Sequence, residues 1–329
     1  MSADPILSVR NLQVSFPTAR GVLQAVRGIS FDVRPGQVFG MVGESGCGKT
    51  ATGRALLRLI PPPGRISAGS IVYRGKDLLT LSGTQMRRLR GRRIAMVFQD
   101  PSAALNPVFT IGQQLTGVIR HHFITSAAEA RRRSIGLMDE LGLPAPEQMF
   151  ARYPHQLSGG MQQRVMLAMA LAAEPDVIIA DEATTALDVT IQAQIVELLL
   201  RLRRERGLTI IFITHDLGLV AEICDQVAVL YMGRIVEEGD VDSIFHNTRH
   251  PYTRGLMAAM PSEATWGQPL NTINGAVPDG VTYFAGCAFA PRCPMAMEQC
   301  RRVDPASVTF NGRHSASCHL YAAAEDADV

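Results

Sequence analysis

Gly43-Glu44-Ser45-Gly46-Cys47-Gly48-Lys49-Thr50 decides the fold of this chain. The eight residues fit G-x-x-x-x-G-K-[ST]. They lie between a predicted buried strand, residues 37–42, and a predicted helix, residues 51–59, which is the context this pattern requires. Glycines at these positions let backbone N–H groups turn inward around phosphates, and the start of the helix adds partial positive charge. Lys49 can reach β- and γ-phosphates, and the Thr50 hydroxyl can ligate Mg²⁺. Gly43, Glu44, Ser45, Gly46, Cys47, Gly48, Lys49, Thr50 and Ala51 are therefore the candidate phosphate-binding residues. Alone, they indicate a nucleoside triphosphate and no more.

Upstream, residues 6–9, 14–16, 23–26 and 29–33 are short alternating runs that predict strands, broken by Pro17, Gly21, Gly28 and the Pro35-Gly36 turn. Downstream, Pro61-Pro62-Pro63-Gly64 ends the first helix. Residues 70–73 and 94–98 predict further strands. From about 110 to 173 the periodicity is helical. Strands return at 177–180 and 209–214, separated by a helix over 190–206, and 227–231 with 234–238 read as a hairpin around Met232-Gly233. This alternation predicts an α/β core with a parallel sheet. Beyond about residue 240 the pattern loosens and Pro, Asn and Gly accumulate, which places a domain boundary near 240–255.

Two further segments carry chemistry. The apolar run 177–180 delivers Asp181-Glu182 to a strand end, where one carboxylate can hold Mg²⁺ (Asp181) and the next can act as general base toward water (Glu182). Leu157-Ser158-Gly159-Gly160-Met161 opens a predicted helix and forms a second anion-binding nest. One nucleotide needs one phosphate loop, so a second nest suggests a site completed by another chain.

Composition bounds the rest. Among 329 residues, 32 Lys+Arg stand against 30 Asp+Glu, a formal charge of +2, which gives no support to bulk attraction for nucleic acid. A membrane helix needs about 20 mostly apolar residues; the longest uncharged run, 101–119, is interrupted by Pro101, Asn106, Pro107, Gln113 and Gln114. The start, MSADPILSVR, lacks the basic and apolar regions of a signal peptide, so a cytosolic protein is expected. Of six cysteines, Cys287, Cys293, Cys300 and Cys318 crowd the C-terminal end, where a reducing compartment makes disulfides a poor explanation. Their spacing, Cys-x5-Cys-x6-Cys-x17-Cys, matches neither a ferredoxin run nor paired C-x2-C zinc ligands, and leaves iron–sulfur, zinc and free thiols open.

Taken together, these motifs resemble the nucleotide-binding subunits of ABC transporters. Leu157–Met161 is similar to the family's signature motif, Gln99 to its Q-loop glutamine, Ala186-Leu187-Asp188 to its D-loop, His215 to its switch histidine, and Phe16 to the aromatic that stacks on adenine. The resemblance narrows to the oligopeptide/dipeptide/nickel importer branch through Phe98-Gln99-Asp100-Pro101, Leu105-Asn106-Pro107, residues 181–190, His250-Pro251-Tyr252-Thr253-Arg254 and the tail 286–294. One departure is Ala183, where the family usually has Pro.

The resemblance implies an α/β P-loop NTPase of ABC type: a RecA-like core, an antiparallel β-subdomain and a helical signature subdomain (about 101–172) within residues 1–245. A small Cys-rich extension would follow over 246–329. It implies an ATPase energising uptake of peptides, with nickel chelates, glutathione or sugars as other cargoes; a soluble ABC ATPase acting on nucleic acid or ribosomes is the reading from a different class. It implies Glu182 and His215 as catalytic residues, Mg²⁺ held by Thr50, Gln99 and Asp181, and a [4Fe–4S] cluster on Cys287, Cys293, Cys300 and Cys318. Zn²⁺ is the alternative there, kept open by His314 and His319 beside Cys318. The implied partners are a second, related ATP-binding subunit in a heterodimer, two transmembrane permease subunits and an extracytoplasmic substrate-binding protein, with no nucleic acid. The implied location is the cytoplasmic face of the inner membrane. The permease would dock around residues 105–119.

Overall fold

The computed structural model describes residues 4–183, 189–260, 271–281, 284–310 and 312–321. In chain order the elements that matter here are β1 (Leu7–Thr18), β2 (Gly21–Val33), β3 (Val38–Val42), α1 (Lys49–Leu56), β4 (Arg65–Tyr73), β5 (Lys76–Asp77), α2 (Gly83–Leu89), β6 (Ile94–Val97), α3 (Pro101–Ala104), α4 (Ile111–His122), α5 (Ala127–Glu140), α6 (Pro146–Met149), α7 (Gly159–Leu171), β7 (Val177–Asp181), α8 (Val189–Arg206), β8 (Thr209–Ile213), α9 (Leu217–Ile223), β9 (Gln226–Tyr231), β10 (Arg234–Asp240), α10 (Val241–His246), α11 (Pro251–Ala258), α12 (Gln299–Arg302), β11 (Ser307–Phe310) and β12 (His314–Ser317). They form two compact units, one of residues 1–33, 38–79 and 214–329, the other of 34–37 and 80–213.

The first unit holds an antiparallel sheet in the order β2-β1-β4-β5 and a run of strands β11-β12-β10-β9-β3. The four short strands expected before residue 34 are two long ones. Where the sequence pattern breaks, the chain bulges and carries on: register shifts fall between Val9 and Leu12, beside Asn11 at φ 47°. A bulge absorbs an extra residue and re-phases the alternation, so an interrupted pattern still belongs to one strand. β3 lies parallel to β9, and β9 turns into β10 through Met232 and Gly233, both at positive φ as a tight two-residue hairpin turn requires. Every residue of β3 is buried, as expected for a strand covered on both faces.

The tail adds strands that the sequence pattern did not announce. β12 pairs antiparallel with β10 (Glu237 opposite Ala316) and β11 pairs with β12. Their sequences, Ser-Val-Thr-Phe and His-Ser-Ala-Ser, are short and mostly polar, so they carry no strong period. They are held by pairing and by one buried polar knot. The fully buried Glu237 carboxylate accepts from His314 Nε2 (2.8 Å) and from the backbone N–H groups of Arg249 (2.6 Å) and His250 (3.0 Å). A buried carboxylate is tolerable only when paired in this way.

The second unit has a parallel sheet, β8-β7-β6, with all residues of its strands buried, and the helices α2 to α8. α4 opens on a reciprocal capping box between Thr110 and Gln113, and α5 on Ser126, so each start satisfies a backbone N–H that would otherwise lack a partner. α7 begins at Ser158, which accepts from the Met161 N–H (3.4 Å). No helix among the described residues is long and apolar enough to cross a membrane.

Candidate functional site

The phosphate loop is built on the end of β3 and the start of α1. Gly43, Gly46 and Gly48 sit at φ 149°, 81° and 107°. Gly43 and Gly48 also lack room for a side chain: a Cβ on Gly43 would run into the Leu230 carbonyl and one on Gly48 into the Ala25 carbonyl. The loop is thus pinned by backbone on two sides. Lys49, 4% exposed, donates its ammonium to the carbonyls of Gly43 (2.7 Å) and Glu44 (3.1 Å), so the loop's one cation is drawn into the concave side. Thr52 ties α1 back to the Gly48 carbonyl (2.9 Å), and the Gly233 N–H in the β9–β10 turn reaches the Cys47 carbonyl (2.8 Å). Burial raises the Cys47 thiol above its ordinary range; it is a packing residue of the loop. Phe16 is half-buried at the end of β1, its ring against Gly64.

In the second unit, β7 delivers Asp181, 2% exposed, and then Glu182. Glu182 is at φ 47°, a conformation that costs a non-glycine residue about 1 kcal/mol or more. Its backbone N–H is held by the Ile213 carbonyl (2.9 Å), and its carboxylate accepts from Gln99 Nε2 (2.8 Å). Gln99 and Glu182, 83 residues apart, therefore meet because β6 and β7 are adjacent. The signature segment lies in the same unit. Leu157 is buried, Ser158 and Gly159 are exposed, and a Cβ on Gly160 would stand 3.1 Å from Ile191. His215 is exposed, just before Asp216, which caps α9 by accepting from Gly218 (2.9 Å) and Leu219 (3.3 Å). The D-loop residues Ala186, Leu187 and Asp188 lie outside the described residues.

Sequence reasoning missed the residues that frame Glu44. The Arg292 guanidinium makes a two-point pair with its carboxylate (2.7 and 3.0 Å), and the Glu44 N–H donates to Tyr252 Oη (2.9 Å). Phe289 packs edge to face on Tyr231 and on Tyr252 (ring centroids 5.3 Å apart in each pair), and the two tyrosines meet at a tilt with centroids 4.6 Å apart. Tyr252 and Arg292 stand in segments that carried the resemblance to peptide importers, but nothing local in the sequence links them to the loop.

The four tail thiols form no disulfide. Cys287 donates its N–H to the Cys300 carbonyl (2.8 Å), and Cys300 Sγ accepts from the Met297 N–H (3.4 Å). Burial pushes the Cys287 thiol up to about 11, with Cys300 and Cys318 adding to the rise; Cys293 and Cys318 are also raised, by burial first and by neighbouring thiols second. The four are neighbours of one another, yet among the described residues no three His, Cys, Asp or Glu are arranged to hold a metal ion. The histidines that kept zinc open are engaged elsewhere, His314 with Glu237 and His319 Nε2 with the Val303 carbonyl (2.8 Å).

The ABC transporter family model matches residues 26–185, and the model for the oligopeptide/dipeptide transporter C-terminal region matches 236–300. The dipeptide transport ATP-binding protein DppD of Bacillus subtilis (strain 168) is 46% identical over 318 residues, spanning 96% of this chain and 95% of that protein. This chain belongs to the ABC transporter ATP-binding proteins. Its fold is the ABC cassette, a P-loop NTPase, and its activity is ATP hydrolysis. The oligopeptide transport ATP-binding protein OppD of the same organism is 49% identical over 89% of this chain and 82% of its own length. Among solved structures, the dimeric ATP-binding cassette MJ0796 bound to ADP and Pi superposes with a TM-score of 0.65 at 25% identity, covering 71% of this chain and 98% of that one.

Proposed function

We propose that this chain is the ATP-hydrolysing subunit of a multi-subunit importer for di- and oligopeptides, bound peripherally at the cytoplasmic face of the membrane. The observation that carries the reading is the near-full-length likeness to dipeptide and oligopeptide transport ATP-binding proteins, which includes the tail as well as the cassette. We divide the chain into a cassette over 1–245, with its helical subdomain at about 101–172, and an extension over 246–329.

In this reading the N–H groups of residues 43–51 cradle the phosphates, Lys49 neutralises charge at the β- and γ-phosphates, and Phe16 offers its ring to the adenine. The oxygen donors of Thr50, Gln99 and Asp181 suit a hard cation and would hold Mg²⁺, which would offset the negative charge that develops on the phosphates. Glu182 takes the proton of the attacking water. The Gln99 amide holds that carboxylate in place, and His215 orients the water and the γ-phosphate. Leu157–Met161 would cover the γ-phosphate of a nucleotide seated on a second, related subunit, with Ala186–Asp188 at that interface. Catalysis is then positioning and electrostatics, and ATP's better fit to the closed dimer is what drives the transport cycle.

Two permease subunits and an extracytoplasmic binding protein complete the machine. The permease would dock beside α4, where Val108 is 72% exposed and Phe109, 48% exposed, lines a hollow with Gln113, Gly117 and Met169. The tail thiols are four soft ligands of the kind that hold a [4Fe–4S] cluster, but among the described residues they are not arranged around a metal ion, so only the likeness to peptide importers supports that role, and hydrolysis needs nothing from it.

The reading is tested with the assembled importer in vesicles. Peptide-loaded binding protein should stimulate ATP hydrolysis, where nickel chelates or sugars do not. Glu182→Gln should lower turnover by about 10²- to 10³-fold while leaving ATP binding intact. Stimulation by a non-peptide cargo alone would reassign the substrate, and near-normal turnover of the variant would remove Glu182 from its role.

A further inference from the structure

Glu44 is the second residue of the phosphate loop, and each of its polar groups is held. Its carbonyl accepts from Lys49 and from the Cys47 N–H (3.2 Å), both within the loop. Its other two handles are held from far away in sequence. Tyr252 Oη takes the N–H, and Arg292, 248 residues on, takes both carboxylate oxygens. The Arg292 side chain is 4% exposed against 28% for Glu44, so the pair is shielded on the arginine side. The guanidinium is itself fixed by the carbonyls of Asn274 (3.1 Å) and Ile273 (3.4 Å) and by Tyr231 Oη (3.4 Å), and it lies over the Tyr231 ring. This is a built site, and its parts come from β9, α11, residues 273–274 and the segment between Cys287 and Cys293.

Resting on the reading of residues 43–51 as the ATP site, we propose that Arg292 is a positioning residue for ATP binding: through Glu44 it sets the mouth of the phosphate loop, so the C-terminal extension controls nucleotide affinity. A planar two-point pair fixes direction as well as distance, which a lysine ammonium cannot do. Removing one partner leaves the other charge partly buried and unpaired, and a loop that must find its shape on binding loses affinity without losing chemistry.

The test uses the full chain. MgADP, which is not hydrolysed, is titrated by calorimetry against wild type, Arg292→Ala, Arg292→Lys and the double variant Glu44→Gln/Arg292→Ala, with Lys49→Ala as the reference for a lost site; turnover at saturating ATP is measured in the assembled importer. Arg292→Ala should raise Kd by about tenfold, a coupling typical of contacting residues, with kcat at saturation within about twofold. Arg292→Lys should recover part of the affinity, and the double variant should be no worse than Arg292→Ala. If Arg292→Ala binds MgADP as wild type does while Lys49→Ala has lost it, the proposal is overturned and the ATP site stands. If Lys49→Ala binds normally too, the ATP-site reading itself fails. A parallel fall of kcat and affinity would also overturn it, since that marks damage to the fold. Should Arg292→Ala not fold, Glu44→Gln decides: weaker binding supports the clamp, and unchanged binding overturns it.

Discussion

The phosphate loop and the signature segment are both Gly-rich turns into helices, and they are finished to very different degrees. The loop is enclosed. Lys49 is buried, any side chain at Gly43 or Gly48 would collide with the Leu230 or Ala25 carbonyl, and Glu44 is clamped by Tyr252 and Arg292. The signature segment is open. Ser158 and Gly159 are exposed, and Ser158 does no more than cap α7. A nest whose N–H groups face solvent is complete only when an anion arrives from outside. The contrast teaches that one nest is finished within this chain and the other is left open, which suits the second subunit we propose.

That contrast can be broken at its glycines. Gly43→Ala should cost the most. The new Cβ meets the Leu230 backbone first and the buried Cys47 Sγ next, at a φ disfavoured for alanine, so thermal or urea unfolding should show a loss of about 2–4 kcal/mol and nucleotide binding should go with it. Ser158→Ala removes a helix cap with a long bond to Met161 and should cost about 0.5–1 kcal/mol in the same measurement. Gly160→Ala should be the mildest, within about 0.5 kcal/mol, because its Cβ meets only the Ile191 side chain and alanine favours the helix. Equal losses at Gly43 and Gly160 would erase the distinction between an enclosed and an open nest.

The sequence made the cassette legible where chemistry demands local spacing. The loop 43–50, the strand end at Asp181-Glu182 and the Ser158 helix start all appear where the pattern puts them, because each depends on residues within one turn or strand. It was silent where contacts are long-range and polar. β11 and β12 have no apolar period and exist because β10 offers an edge and Glu237 a buried acceptor for His314. The Arg292–Glu44 pair has no local signature at all. The early strands were misread as four because the bulge at Asn11 in β1 and the positive-φ Gly28 in β2 interrupt the alternation without ending either strand. The cysteines were noticed for their crowding, but spacing alone says nothing of how the thiols are placed, and among the described residues they are not arranged around a metal ion.

The central claim is that the open nest serves a nucleotide seated on another subunit. The direct measurement disables this chain's own loop by Lys49→Ala, assembles it with the second ATP-binding subunit and the permeases, and follows the hydrolysis that remains with and without Ser158→Arg in this chain. The account predicts that Lys49→Ala alone leaves the second subunit's site working, and that adding Ser158→Arg abolishes it, a fall of about 100-fold or more. Residual hydrolysis that is indifferent to Ser158→Arg would contradict it.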